Sequence, residues 1–162
     1  MENPDYHLKS GLQEMDFVKV TEMLASAFWC KGIQIDEVKK GALHSALVVG
    51  AFLRSGVQIG FARVISDQTR FAYILDVIVD EAYQRLGVGQ AMLKYILAHP
   101  ELKDVYQWFL VSSTARGVYR KVGFKELSNP EKMDGAKILT GLRDDNLSYP
   151  LDPDKNKFTA GT

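Results

Sequence analysis

The stretch Asp76-Val77-Ile78-Val79-Asp80-Glu81-Ala82-Tyr83-Gln84-Arg85-Leu86-Gly87-Val88-Gly89-Gln90 decides the fold. An apolar run of strand character breaks at Asp80 and passes through a polar turn. After Gly87 the apolar residues recur at helical spacing, as Val88, Met92, Tyr95 and Ile96. The first N–H groups of a helix have no partner within it and carry the positive end of its dipole, which suits an anion such as phosphate. Gly87 and Gly89 let a bulky anion approach the backbone with no Cβ in the way, and Arg85 adds a charge. A tight turn with a purely structural role would use the same glycines, so spacing alone leaves both readings open. A dinucleotide fingerprint is disfavoured, because Met92 stands where its third glycine belongs.

Working outward, Phe71–Val79 is the last of three apolar runs, after Ser45–Arg54 and Val57–Ser66. Ser55-Gly56 and Asp67-Gln68-Thr69 separate them, which predicts an antiparallel meander. Upstream, Phe17, Val20, Leu24, Ala27 and Phe28 predict a helix with Asp16 at its start. Ile35, Val38 and Ala42 predict a second, with Asp36 and Glu37 early and Lys39 and Lys40 late, as the dipole prefers. Trp29-Cys30-Lys31-Gly32 is the loop between them, and Tyr6–Leu8 a short first strand. Downstream, the helix from Gly87 stops at His99-Pro100, and Val105–Val111 reads as a buried strand. A last helix with Ala115, Val118, Tyr119 and Val122 ends at Gly123 and returns Phe124 toward the sheet. The strand–helix–strand unit over 71–111 should be a right-handed parallel crossover. The expected fold class is therefore α/β of the α+β mixed-sheet type: a mostly antiparallel sheet with one parallel crossover and helices on both faces. Residues 1–150 read as one domain with a β-rich end, and 151–162 as a flexible tail.

Composition narrows the function. The 162 residues are 46% hydrophobic and 25% charged, ordinary for a soluble domain with a full core. Twenty Lys plus Arg balance twenty Asp plus Glu, so the excess of base that binds nucleic acid or anionic membrane is absent. The longest apolar runs, such as Ala46–Leu53, are too short to span a bilayer, and Glu2, Asp5 and Glu14 argue against a signal peptide. Cys30 is the only cysteine, and His7, His44 and His99 lie at no metal-ligand spacing; no metal is expected. Cys30 reads as a packed thiol rather than a nucleophile. A cytoplasmic protein is expected.

Two motifs carry a family resemblance. Gln84-x-x-Gly87-x-Gly89 resembles the Gln/Arg-x-x-Gly-x-Gly/Ala signature of the GNAT superfamily of acetyl-CoA-dependent N-acetyltransferases. Ala115-x-x-Val118-Tyr119-x-Lys121-x-Gly123-Phe124 is similar to the same family's Ala-x-x-Leu-Tyr-x-Lys-x-Gly-Phe. The element order agrees over roughly residues 6–127. Gly60–Arg63 and Asp76–Val79 look most like the small single-domain bacterial members.

The resemblance implies that the N–H groups of Gln84, Arg85, Leu86, Gly87, Val88, Gly89 and Gln90 hold the CoA pyrophosphate. It implies that Val77, Ile78 and Val79 pair with the pantetheine arm, and that a splay from Val105–Val111 admits the thioester. Tyr119 matches the tyrosine that protonates the departing sulfur; without the resemblance it reads as a core aromatic. There are departures: Arg85 stands at a frequent glycine, tolerable if its φ is negative, and Ser112 at a frequent CoA-contacting Asn. The position of a frequent glutamate base is Tyr73. Asp76 lies on the opposite face by strict alternation unless the strand bulges, and it serves either the acceptor or a loop tie. A relayed water is the other route for the amine's proton. Trp29 either lines the acceptor pocket or packs under the helix pair. The implied function is acetyl transfer from acetyl-CoA to a primary amine of a small molecule or peptide in a ternary complex. The alternative is a non-catalytic acyl-CoA-binding or sensing module on the same fold. A homodimer paired through C-terminal strands is expected.

Overall fold

The computed structural model describes residues 4–112, 116–126 and 137–142. Its order is β1 (Tyr6–Ser10), α1 (Phe17–Ser26), α2 (Ile35–Leu43), β2 (Leu47–Leu53), β3 (Gln58–Ser66), β4 (Phe71–Val79), α3 (Val88–Leu97), β5 (Gln107–Ser112), α4 (Arg116–Arg120), β6 (Lys125–Glu126) and β7 (Lys137–Leu142). The strands form one seven-stranded sheet in the order β1-β2-β3-β4-β5-β7-β6. Only β4 and β5 run parallel among the paired neighbours. The α/β mixed sheet, its meander and its single crossover are as the sequence predicts. Residue 115 of the second motif, most of the stretch after Asn129 and the 151–162 tail lie outside the described residues.

Capping explains where the first two helices begin. The Asp16 carboxylate accepts from the N–H groups of Val18 and Lys19, both at 3.1 Å. Gln34 and Glu37 form a reciprocal capping box at α2. These helices bury Val20, Met23, Leu24, Val38 and Ala42 against Val48, Phe52, Phe61 and Ile78 on one face of the sheet. On the other face α3 buries Val88, Met92, Leu93 and Ile96 with Trp108, Leu110, Tyr119 and Phe124. Leu93 takes the core position expected for Tyr95. Tyr95 turns to the rim, where its hydroxyl lies 3.1 Å from the Ser10 Oγ. Val118, expected on the apolar face of the last helix, is exposed. Gly123 ends that segment at φ 97, and Phe124 donates its N–H back to the Tyr119 carbonyl.

One polar side chain is sealed inside. Gln58 is 1% exposed; its Oε1 accepts from the Asp16 N–H at 2.8 Å and its Nε2 donates to the Gly60 carbonyl at 3.0 Å. A Cβ on Gly50 would come within 2.8 Å of that Nε2, so the glycine makes room for the amide. Gln58 thereby fixes the start of α1 to the sheet. Gln58→Ala should take away the partner of the part-buried Asp16 N–H and cost about 1–3 kcal/mol, read as a lowered urea midpoint at unchanged m-value.

Candidate active site

The site is built around β4. Its ladder with β5 covers only Phe71↔Gln107, Ala72↔Trp108 and Tyr73↔Phe109. Beyond Tyr73 no pairing continues, although β4 runs on to Val79 and β5 to Ser112. On its other edge β4 stays paired with β3, but the register slips: Phe61 faces Ile78 while Arg63 faces Leu75. Ala62 is thus opposite both Asp76 and Val77, and Asp76 sits at φ 53. This is a β-bulge, a device that bends a strand and re-aims a side chain.

The bulge changes which face Asp76 occupies. Ala72 and Ile74 belong to the core under α3, and Val77 and Val79 pack against that same core. The two pairs differ by an odd number of residues, so the extra residue lies between them. Asp76 accordingly shares the α1/α2 face with Tyr73, and its charge helps raise the Tyr73 phenol above its ordinary value, after burial. Asp76 is not free on that face. Its Oδ2 accepts from Arg63 Nε at 2.6 Å, and Arg63 Nη1 also reaches the Gly41 carbonyl at 3.3 Å and Ser45 Oγ at 3.4 Å. The carboxylate ties the end of α2 to the bulge. Sequence gave no sign of Arg63 as its partner, because only the register of β3 on β4 brings the two together.

The segment between α1 and α2 is a turn of 3-10 helix, Phe28–Cys30. Cys30 is half-buried and its thiol is pushed up, first by burial and then by the Asp76 charge, with Arg63 opposing. That direction disfavours the thiolate. Trp29 does not pack under the helix pair; it projects into solvent edge-on to Phe28, with ring centroids 5.0 Å apart. Phe28 read as a core residue from its helical spacing, yet α1 ends at Ser26 and leaves it outside.

At the C-terminal end of β4, Asp80 caps a second 3-10 turn, Glu81–Tyr83, by accepting from the Ala82 N–H. Gln84 folds back and donates its Nε2 to the Val79 carbonyl at 3.0 Å. Arg85 is exposed at φ 64, contrary to the negative φ that would make it unstrained there; a side chain in this region costs on the order of 1–2 kcal/mol. Gly87 follows at φ 81 as the N-cap of α3, supplying no side-chain cap. The first backbone bond of the helix runs from the Ala91 N–H to the Gly87 carbonyl, so the N–H groups of Val88, Gly89 and Gln90 precede the ladder. Gly89 lies within the helix, and a Cβ there would meet nothing closer than Val79 Cγ2 at 3.7 Å. Neither backbone conformation nor packing requires that glycine. The space beside Gly89 is open to a group approaching the helix start.

Tyr119 lies on α4, on the α3 side of the sheet, 8% exposed, its ring edge-on to Phe124 at 6.4 Å. Its hydroxyl makes no hydrogen bond among the described residues, and burial pushes its pKa up to about 12. The core-aromatic reading of Tyr119 holds for its ring, and the raised pKa keeps the phenol protonated at neutral pH. Ser112 ends β5 opposite Lys137 of β7. Among the described residues no group of three or more His, Cys, Asp and Glu could hold a metal, and no helix is long and apolar enough to cross a membrane.

Comparison with known proteins agrees with this geometry. The acetyltransferase (GNAT) domain model matches residues 45–126. An uncharacterised ycf52-like N-acetyltransferase of Prochlorococcus marinus is 33% identical over 98 residues, 59% of this chain and 53% of that protein. The chain thus spans about half the length of that curated relative. A solved structure from Xanthomonas campestris pv. campestris, a proposed acetyltransferase of the GNAT family, has a TM-score of 0.69 at 29% identity, covering 82% of this chain and 96% of that one. A GNAT acetyltransferase from Elizabethkingia anophelis, solved with acetyl-CoA bound, shares the fold at TM-score 0.61 and 18% identity, covering 88% of this chain and 100% of that one.

The glycine turn is braced from α1. Lys19 Nζ lies 2.6 Å from Asp80 Oδ2. The pairing raises the Lys19 pKa and lowers that of Asp80, each chiefly through their mutual hydrogen bond. A depressed carboxylate stabilises the fold above its unfolded value, about 3.9, and that contribution fades as pH falls through the folded value. A raised ammonium stabilises below about 10.4, and its contribution fades as pH rises through the folded value. Lys19→Met should therefore cost about 0.5–1 kcal/mol near neutrality. The difference from wild type should shrink in thermal melts as pH falls below about 3.9 and through the lowered value of Asp80.

Proposed function

The chain belongs to the GNAT family of acetyltransferases, and from that premise we propose that it transfers acetyl from acetyl-CoA to a primary amine by direct attack in a ternary complex. The observation that carries this reading is the gap between β4 and β5. It opens beyond Tyr73, and the unpaired N–H groups of Val88, Gly89 and Gln90 lie just past the end of its β4 wall. Those groups, with Arg85, suit a pyrophosphate, and the edge of Val77 and Ile78 that faces away from β3 suits the amides of a pantetheine arm. Acetyl-CoA supplies an activated thioester. The amine nitrogen bonds to the carbonyl carbon, the tetrahedral oxyanion collapses, and the C–S bond breaks. Tyr119 gives its phenolic proton to the departing sulfur, the former amine loses one proton to solvent, and the phenolate takes one back from solvent, which restores Tyr119. We propose a cytoplasmic location, where the single cysteine of the chain, Cys30, would remain a free thiol. The two-residue β6 leaves much of β7's outer edge unpaired among the described residues, an edge that a second copy can cover in a homodimer.

Two experiments test this. Gly89→Val places a branched side chain where the fold has room but a pyrophosphate would not. Calorimetric affinity for CoA should fall at least about 10-fold while the melting temperature moves by only a few degrees. Unchanged affinity would remove the anion site. Tyr119→Phe keeps the ring in the core and deletes the proton: CoA affinity should hold while kcat falls by roughly 10²–10⁴. Because the phenol sits at about 12, wild-type kcat/KM should climb with pH as the acceptor deprotonates. No descending limb from Tyr119 should appear below about pH 11. Wild-type turnover in the Phe variant would return Tyr119 to a packing role.

A further inference from the structure

Resting on the acetyltransferase reading, we propose that Lys19 of α1 is a positioning residue of the CoA site. It acts through Asp80, holding that carboxylate and cancelling its charge beside the pyrophosphate. The need for such a group lies in the turn itself. Between Asp80 and Gln90 two carboxylates, Asp80 and Glu81, stand against one guanidinium, Arg85. A turn offered to an anion thus carries a negative excess of its own. Asp80 has a task there: its Oδ1 accepts from the Ala82 N–H at 3.1 Å and caps the 3-10 turn that leads toward Gly87. It also borders the helix start. A Cβ on Gly89 would stand 3.7 Å from Val79 Cγ2, and Asp80 is the next residue. Its other oxygen, Oδ2, accepts from Lys19 Nζ at 2.6 Å.

Ion pairs at a protein surface contribute little when two long side chains must be ordered to make them. This pair is anchored at both ends by neighbouring residues of β3. Gln58 Oε1 accepts from the Asp16 N–H at 2.8 Å, which fixes the start of α1, and Lys19 follows in its first turn. The Ile59 carbonyl accepts from the Asp80 N–H at 2.9 Å. Gln58, Asp16, Lys19, Asp80 and Ile59 therefore close a ring that joins the start of β3, the start of α1 and the end of β4. The Lys19 and Asp80 side chains are only 28% and 22% exposed, so water screens them incompletely. Left uncancelled, the Asp80 carboxylate would repel a doubly charged pyrophosphate arriving at the neighbouring helix start.

The test uses the full chain and CoA itself, with affinity read by calorimetry and thermal melts on the same samples. Lys19→Met should weaken CoA binding about 10-fold at about 50 mM salt, and less than about 3-fold at about 0.5 M, where charges are screened. Asp80→Asn keeps an oxygen for the Ala82 N–H and removes the charge. Added to Lys19→Met, it should return the affinity to within about 3-fold of wild type. The melting temperature of that double variant should stay below wild type, because the ion pair is still missing. A purely structural tie predicts otherwise: single and double variants would bind CoA equally weakly, whatever the salt. That result, or an unchanged affinity in Lys19→Met, would overturn the proposal. Failure of the wild-type chain to bind CoA would instead overturn the acetyltransferase reading on which it rests.

Discussion

Between β4 and β5 the hydrogen-bonded ladder lasts three residue pairs and then ends, and the rest of the site follows from that ending. Two parallel strands that stayed paired to their tips would leave no opening through the sheet and no free backbone edge for a pantetheine arm. The bulge at Asp76 acts against continued pairing, because an extra residue bends its strand and increases the local twist. It costs a left-handed φ of 53 at a non-glycine residue. That cost is borne because Arg63 clamps the Asp76 carboxylate from β3 and anchors it to the end of α2. Break the clamp and the bulge loses its best-defined partner.

Much of the fold was legible because each element states its own period. The alternation in Phe71–Val79, the turn residues at Ser55-Gly56, and the helical spacing after Gly87 are local signals, and the structure uses all of them. The glycine turn was legible for the same reason, although its backbone was not. Arg85 at φ 64 follows from the geometry joining a 3-10 turn to α3, which spacing does not encode. The face of Asp76 was the hardest reading. A one-residue slip inverts every later side chain, and only the registers of β3 and β4 reveal it. Phe28 failed for a related reason: helical spacing continues one turn past the helix, and the Ala27 backbone at ψ 140 turns its ring away from the core.

In the proposed mechanism, packing and chemistry share the Tyr119 side chain. Burial that fixes the ring also pushes the phenol to about 12, while a free thiol of cysteine type ionises at about 8.5. Complete proton transfer to a solvated thiolate would then be uphill by about 5 kcal/mol. The acid is therefore effective only as the C–S bond breaks within the same dry gap. There burial raises the proton affinity of the sulfur as it does that of the phenol. A phenol matched in this way never ionises in the resting protein, so it needs no partner to hold its proton in place.

For the other proton, the one the acceptor must lose, the described residues near the bulge offer no free carboxylate. The Tyr73 phenol and the Cys30 thiol are both pushed up and stay protonated, and the Asp76 carboxylate is engaged by Arg63. A solvated amine of pKa about 10 is deprotonated only about one part in a thousand at pH 7, which adds about 4 kcal/mol to the barrier. A dry site works against that penalty. Desolvation disfavours an ammonium and leaves the neutral amine almost untouched, so an acceptor that loses its water on binding has its pKa lowered by the act of binding. A carboxylate at the same place would do the opposite, holding the ammonium in its unreactive form. The Arg63–Asp76 pair lessens that opposing effect, because a guanidinium at 2.6 Å offsets part of the carboxylate's charge.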